Sequence, residues 1–207
     1  MDIQFYGANC LTFSYKSKRI VVDDNLASLG SKGIIKADDV ALFTTAHGAP
    51  VPARLVLDGP GEFEVSDISI IGIAARAHID EPSEKHATMF KLSMADISVL
   101  VTGHIYPDFS EAQLEAIGLV DILVVPVGGN GYTLDPVGSL KLIKTIEPKL
   151  VVPTHYADPA LQYSVPQQDL DHALKEIGME IKITTTKLHV KASELTDSTQ
   201  LVVLEKA

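Results

Sequence analysis

The chain has 207 residues, 46% of them hydrophobic, enough for one domain that buries roughly 70% of its unfolded surface. Its formal charge of −10 is spread along the sequence without a basic cluster, which excludes the phosphate-backbone footprint of a nucleic-acid binder. The lone Cys10 can form no internal disulfide, and Met1-Asp2 opens without the basic and apolar segments of a signal peptide. No apolar run approaches the ~20 residues of a membrane-spanning helix. A single cytoplasmic domain over residues 1–207, with no nucleic-acid or membrane partner, is the expectation, and association into homo-oligomers stays open.

Residues 3–6, 10–15 and 19–22 are short apolar runs separated by Gly7-Ala8-Asn9 and Lys16-Ser17-Lys18, the pattern of an antiparallel meander. Asp23-Asp24 closes the third run, where Asp commonly caps a turn. Residues 25–37 read as a loop, residues 40–43 as a buried strand, and Thr45-Ala46-His47-Gly48-Ala49-Pro50 as the loop beyond it. Residues 55–57 lead into a Gly-Pro-Gly turn at 59–61, and residues 68–73 form another strand. The polar segment after it carries His78 and, further on, His86. Residues 88–92 and 97–102 suit a hairpin that ends at Gly103-His104. Ser110 and Gly118 bracket a short helix over 111–117, with Leu114 and Ile117 facing inward.

The stretch from Asp121 to Tyr156 has the strongest local logic. Residues 122–125 and 150–152 are continuous β-branched runs, as in strands buried on both faces. Between them Asp135 is a good N-cap, Pro136 occupies the first helical position, and Leu140, Ile143 and Ile146 share one face. A strand, helix and strand of these lengths favour a right-handed crossover between parallel strands, with ligands expected at the strand C-termini. His155 lies there. A last amphipathic helix over 167–177 and strands over 187–191 and 200–204 complete the expected elements, with His172 on the surface and His189 alternating with apolar neighbours in a way that needs no function.

Pro126-Val-Gly-Gly129, Thr133-Leu-Asp135 and Val151-Val-Pro-Thr-His155-Tyr156, together with Phe5-Tyr-Gly7-Ala-Asn-Cys10-Leu and Ile20-Val-Val-Asp23, resemble the metallo-β-lactamase-fold hydrolases of the lactonase-like branch. The resemblance implies an α/β (α+β) fold, a four-layer αββα sandwich. Where the family carries Thr-His-x-His-x-Asp-His, this chain has Thr45, His47, Ala49 and Pro50, and where the family has its metal-bridging Gly-Asp it has Gly103-His104. One histidine of that signature remains, and both carboxylates are gone.

The resemblance therefore implies a site of His47, His78, His104 and His155, with His86 competing with His78 for the third histidine, Asp23 supporting the site and Tyr156 beside it. Two divalent cations need anionic ligands, so the expected metal is one zinc, manganese or iron ion, or none. Three neutral imidazoles are a known ligand set for one catalytic zinc. Two functions follow: hydrolysis of a small lactone, ester or phosphate-bearing metabolite, or a metal-free, non-catalytic role as a binding or scaffold protein of the same fold.

Overall fold

The computed structural model describes residues 1–207. Strands β1 (Asp2–Gly7), β2 (Cys10–Tyr15) and β3 (Lys18–Val22) form the expected antiparallel meander. Parallel strands β4 (Val40–Leu42) and β5 (Leu55–Leu57) extend it. The second sheet begins with β6 (Gly61–Val65), β7 (Ile68–Ala75), β8 (Ala87–Met94) and β9 (Ile97–Val101), all antiparallel neighbours. The β8–β9 turn is made by Ala95 and Asp96, both at positive φ, as a two-residue hairpin requires.

Helix α1 (Glu111–Ile117) is capped by Ser110, whose hydroxyl accepts from the Gln113 N–H while the Gln113 side chain accepts from the Ser110 N–H. Next come β10 (Ile122–Pro126), α2 (Pro136–Ile146) and β11 (Leu150–Thr154). As expected, β10 and β11 are parallel, with Ile122 opposite Leu150. Asp135 caps α2 through the Gly138 N–H at 2.6 Å. Helix α3 (Leu170–Ile177) and strands β12 (Ile181–Thr185), β13 (Leu188–His189) and β14 (Gln200–Leu204) complete the chain.

The sheets run β13-β1-β2-β3-β4-β5 and β12-β14-β11-β10-β9-β8-β7-β6. Between them lies a cluster of 25 buried residues, including Phe13, Leu42, Phe90, Val124 and Val152. A second cluster of 20 packs Ile117, Leu142, Ile143, Ala173, Leu174 and Ile177 of the three helices onto the outer face of the eight-stranded sheet. The six-stranded sheet is covered on its outer side by the 3-10 turn Leu26–Leu29 and by loops carrying Ile34, Ile35, Leu161 and Tyr163. The two-sheet α/β sandwich is thus present, with its regular helices gathered on one side. No helix is long and apolar enough to cross a membrane.

Several elements differ from the sequence reading. Residues 61–65, beyond the expected turn, form the unforeseen strand β6, with Glu62 and Glu64 exposed and paired with Ile71 and Ser69. Residues 181–185 form an unexpected edge strand parallel to β14. The strand expected over 187–191 shrinks to two residues and joins β1 of the other sheet. Helix α3 starts at Leu170 because Asp169, not a residue near Gln167, accepts from the His172 N–H. Leu114 is exposed, leaving Ile117 as the inward residue of α1.

Candidate functional site

Loops leaving β4, β9 and β11 meet at one edge of the sandwich because close backbone approaches hold them there. Gly103 follows β9 at φ +62°, and a Cβ there would lie 2.3 Å from Thr44 Oγ1. Thr44 is fixed in turn by Asp23, whose carboxylate accepts from the Thr44 N–H at 2.7 Å and from its hydroxyl at 2.6 Å. Asp23 thus has its side-chain hydrogen bonds to Thr44 and none to a histidine. Burial pushes its carboxyl up to about 6, with the two Thr44 hydrogen bonds pulling the other way.

Across the site, Gly128 has no side chain because a Cβ would lie 2.0 Å from the His155 carbonyl oxygen and 2.3 Å from Gln167 Oε1. The turn between β1 and β2 joins the two histidine-bearing loops. The His155 N–H donates to the Ala8 carbonyl at 2.8 Å, and Asn9 lies between Thr154 Oγ1 at 2.8 Å and His104 Nε2 at 3.0 Å. The His78 N–H donates to the His104 carbonyl at 2.8 Å, and Ala77 bridges to Ile105.

His78, His104 and His155 together line a cavity of about 260 Å³, with Leu29, Thr45, Ala77, Ile79, Tyr132, Tyr163, Ser164, Val165 and Gln167. No Asp, Glu, Lys or Arg lines it. The His104 and His155 rings meet edge to face, 4.5 Å between centroids. Burial, with repulsion from His155 and His78, holds His104 down to about 3, and burial holds His155 down to about 4. Both rings are therefore neutral at pH 7.

The His155 tautomer is set by its neighbour. Gln167 donates its amide N–H to the Val165 carbonyl at 2.7 Å, which turns Oε1 toward His155 Nδ1 at 3.1 Å. A carbonyl only accepts, so Gln167 Oε1 receives the His155 Nδ1–H and the Nε2 lone pair is left free. By contrast, His78 Nδ1 and His104 Nδ1 are buried without any hydrogen-bond partner.

The other expected residues sit elsewhere. His47 follows β4 but stacks on Phe43, with ring centroids 3.8 Å apart, and its N–H donates to Asp58 Oδ2; it is not among the cavity's lining residues. His86 pairs with Asp80 Oδ1 at 3.0 Å, so of the two competitors it is His78 that reaches the cavity. Tyr156 packs into the two main cores and against Phe5, burial pushes its hydroxyl up to about 12, and the cavity's tyrosines are Tyr132 and Tyr163. Asn9, Thr154 and Gln167 were not read as site residues. For Asn9 a signal existed: it lies in Phe5-Tyr-Gly7-Ala-Asn-Cys10-Leu, one of the segments that carry the family resemblance.

The residues offer a metal ion neutral donors only. Two orphaned buried imidazole nitrogens and one free Nε2 fit the ligand chemistry of a single zinc-type ion. No three of these histidines have ring nitrogens within 4.8 Å of one another; Asp80, Glu84 and His86 are the group that meets this spacing. Binding an ion at about 2.0–2.1 Å per bond therefore requires the rings to turn.

Two facing sheets with histidines at the strand ends of one edge define a class of α/β sandwich. The chain belongs to the metallo-β-lactamase superfamily: residues 2–155 match the family model described as the beta-lactamase superfamily domain. It is similar to a UPF0173 metal-dependent hydrolase of Carboxydothermus hydrogenoformans, 35% identical over 96 residues, which are 45% of this chain and 41% of that protein. Among solved structures it superposes on a candidate Zn-dependent hydrolase of the superfamily from Thermotoga maritima with TM-score 0.76, 24% identity and 99% of both chains covered. It also matches the metallo-β-lactamase fold protein YhfI of Bacillus subtilis with TM-score 0.62, 8% identity, and 100% and 97% of the two chains covered. At these identities the structural likeness is one of fold.

Proposed function

We propose that the chain is a metal-dependent hydrolase of a small, uncharged lactone or ester, working with no more than one metal ion in the cavity of His78, His104 and His155. The observation that carries this reading is a cavity lined by three histidines and no carboxylate. Two close cations need bridging anions to offset their repulsion, and none lines this cavity. The absence of Lys and Arg from the same lining favours an uncharged substrate over the phosphate-bearing alternative, since an anion would be desolvated there without a protein cation. The similar Carboxydothermus protein, described as a metal-dependent hydrolase, supports the reaction type.

His78, His104 and His155 would hold the divalent ion, which would supply Lewis acidity to the reaction. The protein's own groups do the rest. Leu29, Ile79 and Val165 provide the apolar wall for the substrate's hydrocarbon part. His155, neutral and oriented by Gln167, keeps Nε2 free to hold an ion or accept a proton from water.

The metal-free binding reading is favoured by one observation, the spacing of the ring nitrogens. Turnover of p-nitrophenyl butyrate, a γ-lactone and p-nitrophenyl phosphate, measured with and without one equivalent of zinc in the parent and His155→Gln proteins, separates the two. The hydrolase reading expects zinc-dependent turnover of the ester or lactone, no turnover of the phosphate, and a loss of about 100-fold or more in His155→Gln. Turnover indifferent to both zinc and His155→Gln, or confined to the phosphate, contradicts it.

A further inference from the structure

Asn9 lies buried in the β1–β2 turn, a strand pair of the six-stranded sheet, yet its two hydrogen bonds go to the ends of β9 and β11 in the other sheet. Its amide nitrogen is 3.0 Å from His104 Nε2 and its amide oxygen is 2.8 Å from Thr154 Oγ1. Thr154 is fully buried, and its hydroxyl has Asn9 as its one hydrogen-bond partner. A hydroxyl must place its proton somewhere, and here the one acceptor in reach is Asn9 Oδ1. That fixes the amide: Oδ1 faces Thr154, and Nδ2–H faces His104. Nε2 of His104 must then be the unprotonated, accepting nitrogen. A neutral imidazole carries one proton, so the proton sits on Nδ1, the nitrogen that is buried and has no partner in the protein.

Reversing the amide would let Oδ1 accept an Nε2–H and would leave Nδ1 with a lone pair. It would also turn an N–H toward Thr154 Oγ1 and strand the hydroxyl proton inside the protein. The two arrangements present opposite chemistry at Nδ1: a hydrogen-bond donor in the first, a metal ligand in the second. In the first arrangement Nε2 is unavailable to a metal as well, because Asn9 occupies its lone pair.

We propose that Asn9 and Thr154 form a tautomer lock on His104. In the metal-free protein His104 serves the cavity as an Nδ1–H donor for an uncharged acceptor oxygen of the bound molecule, such as an ester or lactone carbonyl, and an ion can recruit this ring only when the Asn9 amide reverses. The lock explains how a neutral histidine can occupy the place where the family has a metal-bridging aspartate: the donor acts on the substrate oxygen directly. His155, fixed by Gln167 with Nε2 free, supplies the complementary acceptor across the edge-to-face ring contact. The assignment of the acceptor oxygen rests on the proposed hydrolase reading, whereas the tautomer itself does not.

The test reads the imidazole nitrogens by 15N NMR in metal-free protein at pH 7, with His104 assigned from a His104→Gln spectrum, alongside zinc titrations. The parent should show a protonated Nδ1 and an unprotonated Nε2 at His104. Thr154→Val removes the hydroxyl proton while keeping the shape, so His104 should move toward the Nε2–H form and zinc affinity should rise several-fold. Asn9→Ala is the second variant, and it too should lose the parent tautomer preference. A parent spectrum with Nε2–H dominant overturns the lock, and so does a Thr154→Val protein with unchanged tautomer and zinc affinity. A changed tautomer with unchanged zinc affinity overturns its control over metal binding. Because no substrate is present, these outcomes are independent of whether the protein hydrolyses anything.

Discussion

Replacing Gly128 by Ala perturbs the site without altering a histidine side chain. The added Cβ would lie 2.0 Å from the His155 carbonyl oxygen and 2.3 Å from Gln167 Oε1, against a normal carbon–oxygen contact above about 3 Å. Gln167 can rotate away, but doing so releases the hydrogen bond that orients His155 Nδ1, worth about 0.5–1.5 kcal/mol. The carbonyl can yield only by shifting the His155 backbone by about 1 Å, and overpacking of this kind costs about 1–3 kcal/mol. Together the loss should be on the order of 2–4 kcal/mol, read as a lower urea midpoint at unchanged m-value. Gly48→Ala is the control, since nothing lies within 4 Å of its Cβ position, and it should change stability by no more than about 0.5 kcal/mol. Gly128→Ala should also alter the His155 ring-nitrogen shifts. A variant within about 0.5 kcal/mol of the parent, with the His155 signals in place, would refute the idea that the β10–α2 loop holds the His155 loop by close backbone packing.

Asp23 titrates at about 6 in the fold against a free value of 3.8, so between these values the folded chain binds more protons than the unfolded one. Stability should fall as pH rises from about 4 to about 6 by an amount on the order of 3 kcal/mol, then level off. Asp23→Asn should remove that slope, and denaturation curves at several pH values showing the parental slope in the variant would count against the assignment. Turnover of the uncharged ester or lactone should depend on zinc and on His155, whereas p-nitrophenyl phosphate should remain intact. The His104 tautomer should respond to Thr154→Val more strongly than to any substitution of His47, which stacks on Phe43 away from the cavity lining.

The β10–α2–β11 crossover was legible in the sequence because its signals are local: β-branched runs, an Asp-Pro helix start, and apolar residues on one helix face. The hairpin and meander were legible for the same reason. Strand β6 was hidden because Gly59-Pro60-Gly61 reads as turn chemistry while the residues after it alternate with exposed glutamates. Strand β12 escaped because its Ile181 and Ile183 remain largely exposed on a sheet edge, where no buried face imposes a pattern. In the site, His104 and His155 stood out as histidines at strand ends. The hydrogen-bond network around His104 did not, since Thr154 and Asn9 are 145 residues apart and only the packing of one sheet on the other joins them. His47 kept its place in the family motif but lost its neighbours Ala49 and Pro50 as ligands, and a motif position alone does not bring a ring to the cavity.

Metal stoichiometry tests the central claim most directly. Zinc titration by calorimetry into metal-stripped protein, repeated with His155→Ala, should give no more than one tightly held equivalent per chain, with that equivalent lost in the variant. Two tightly held equivalents in the parent, or one that survives removal of His155, would contradict a three-histidine site without carboxylates.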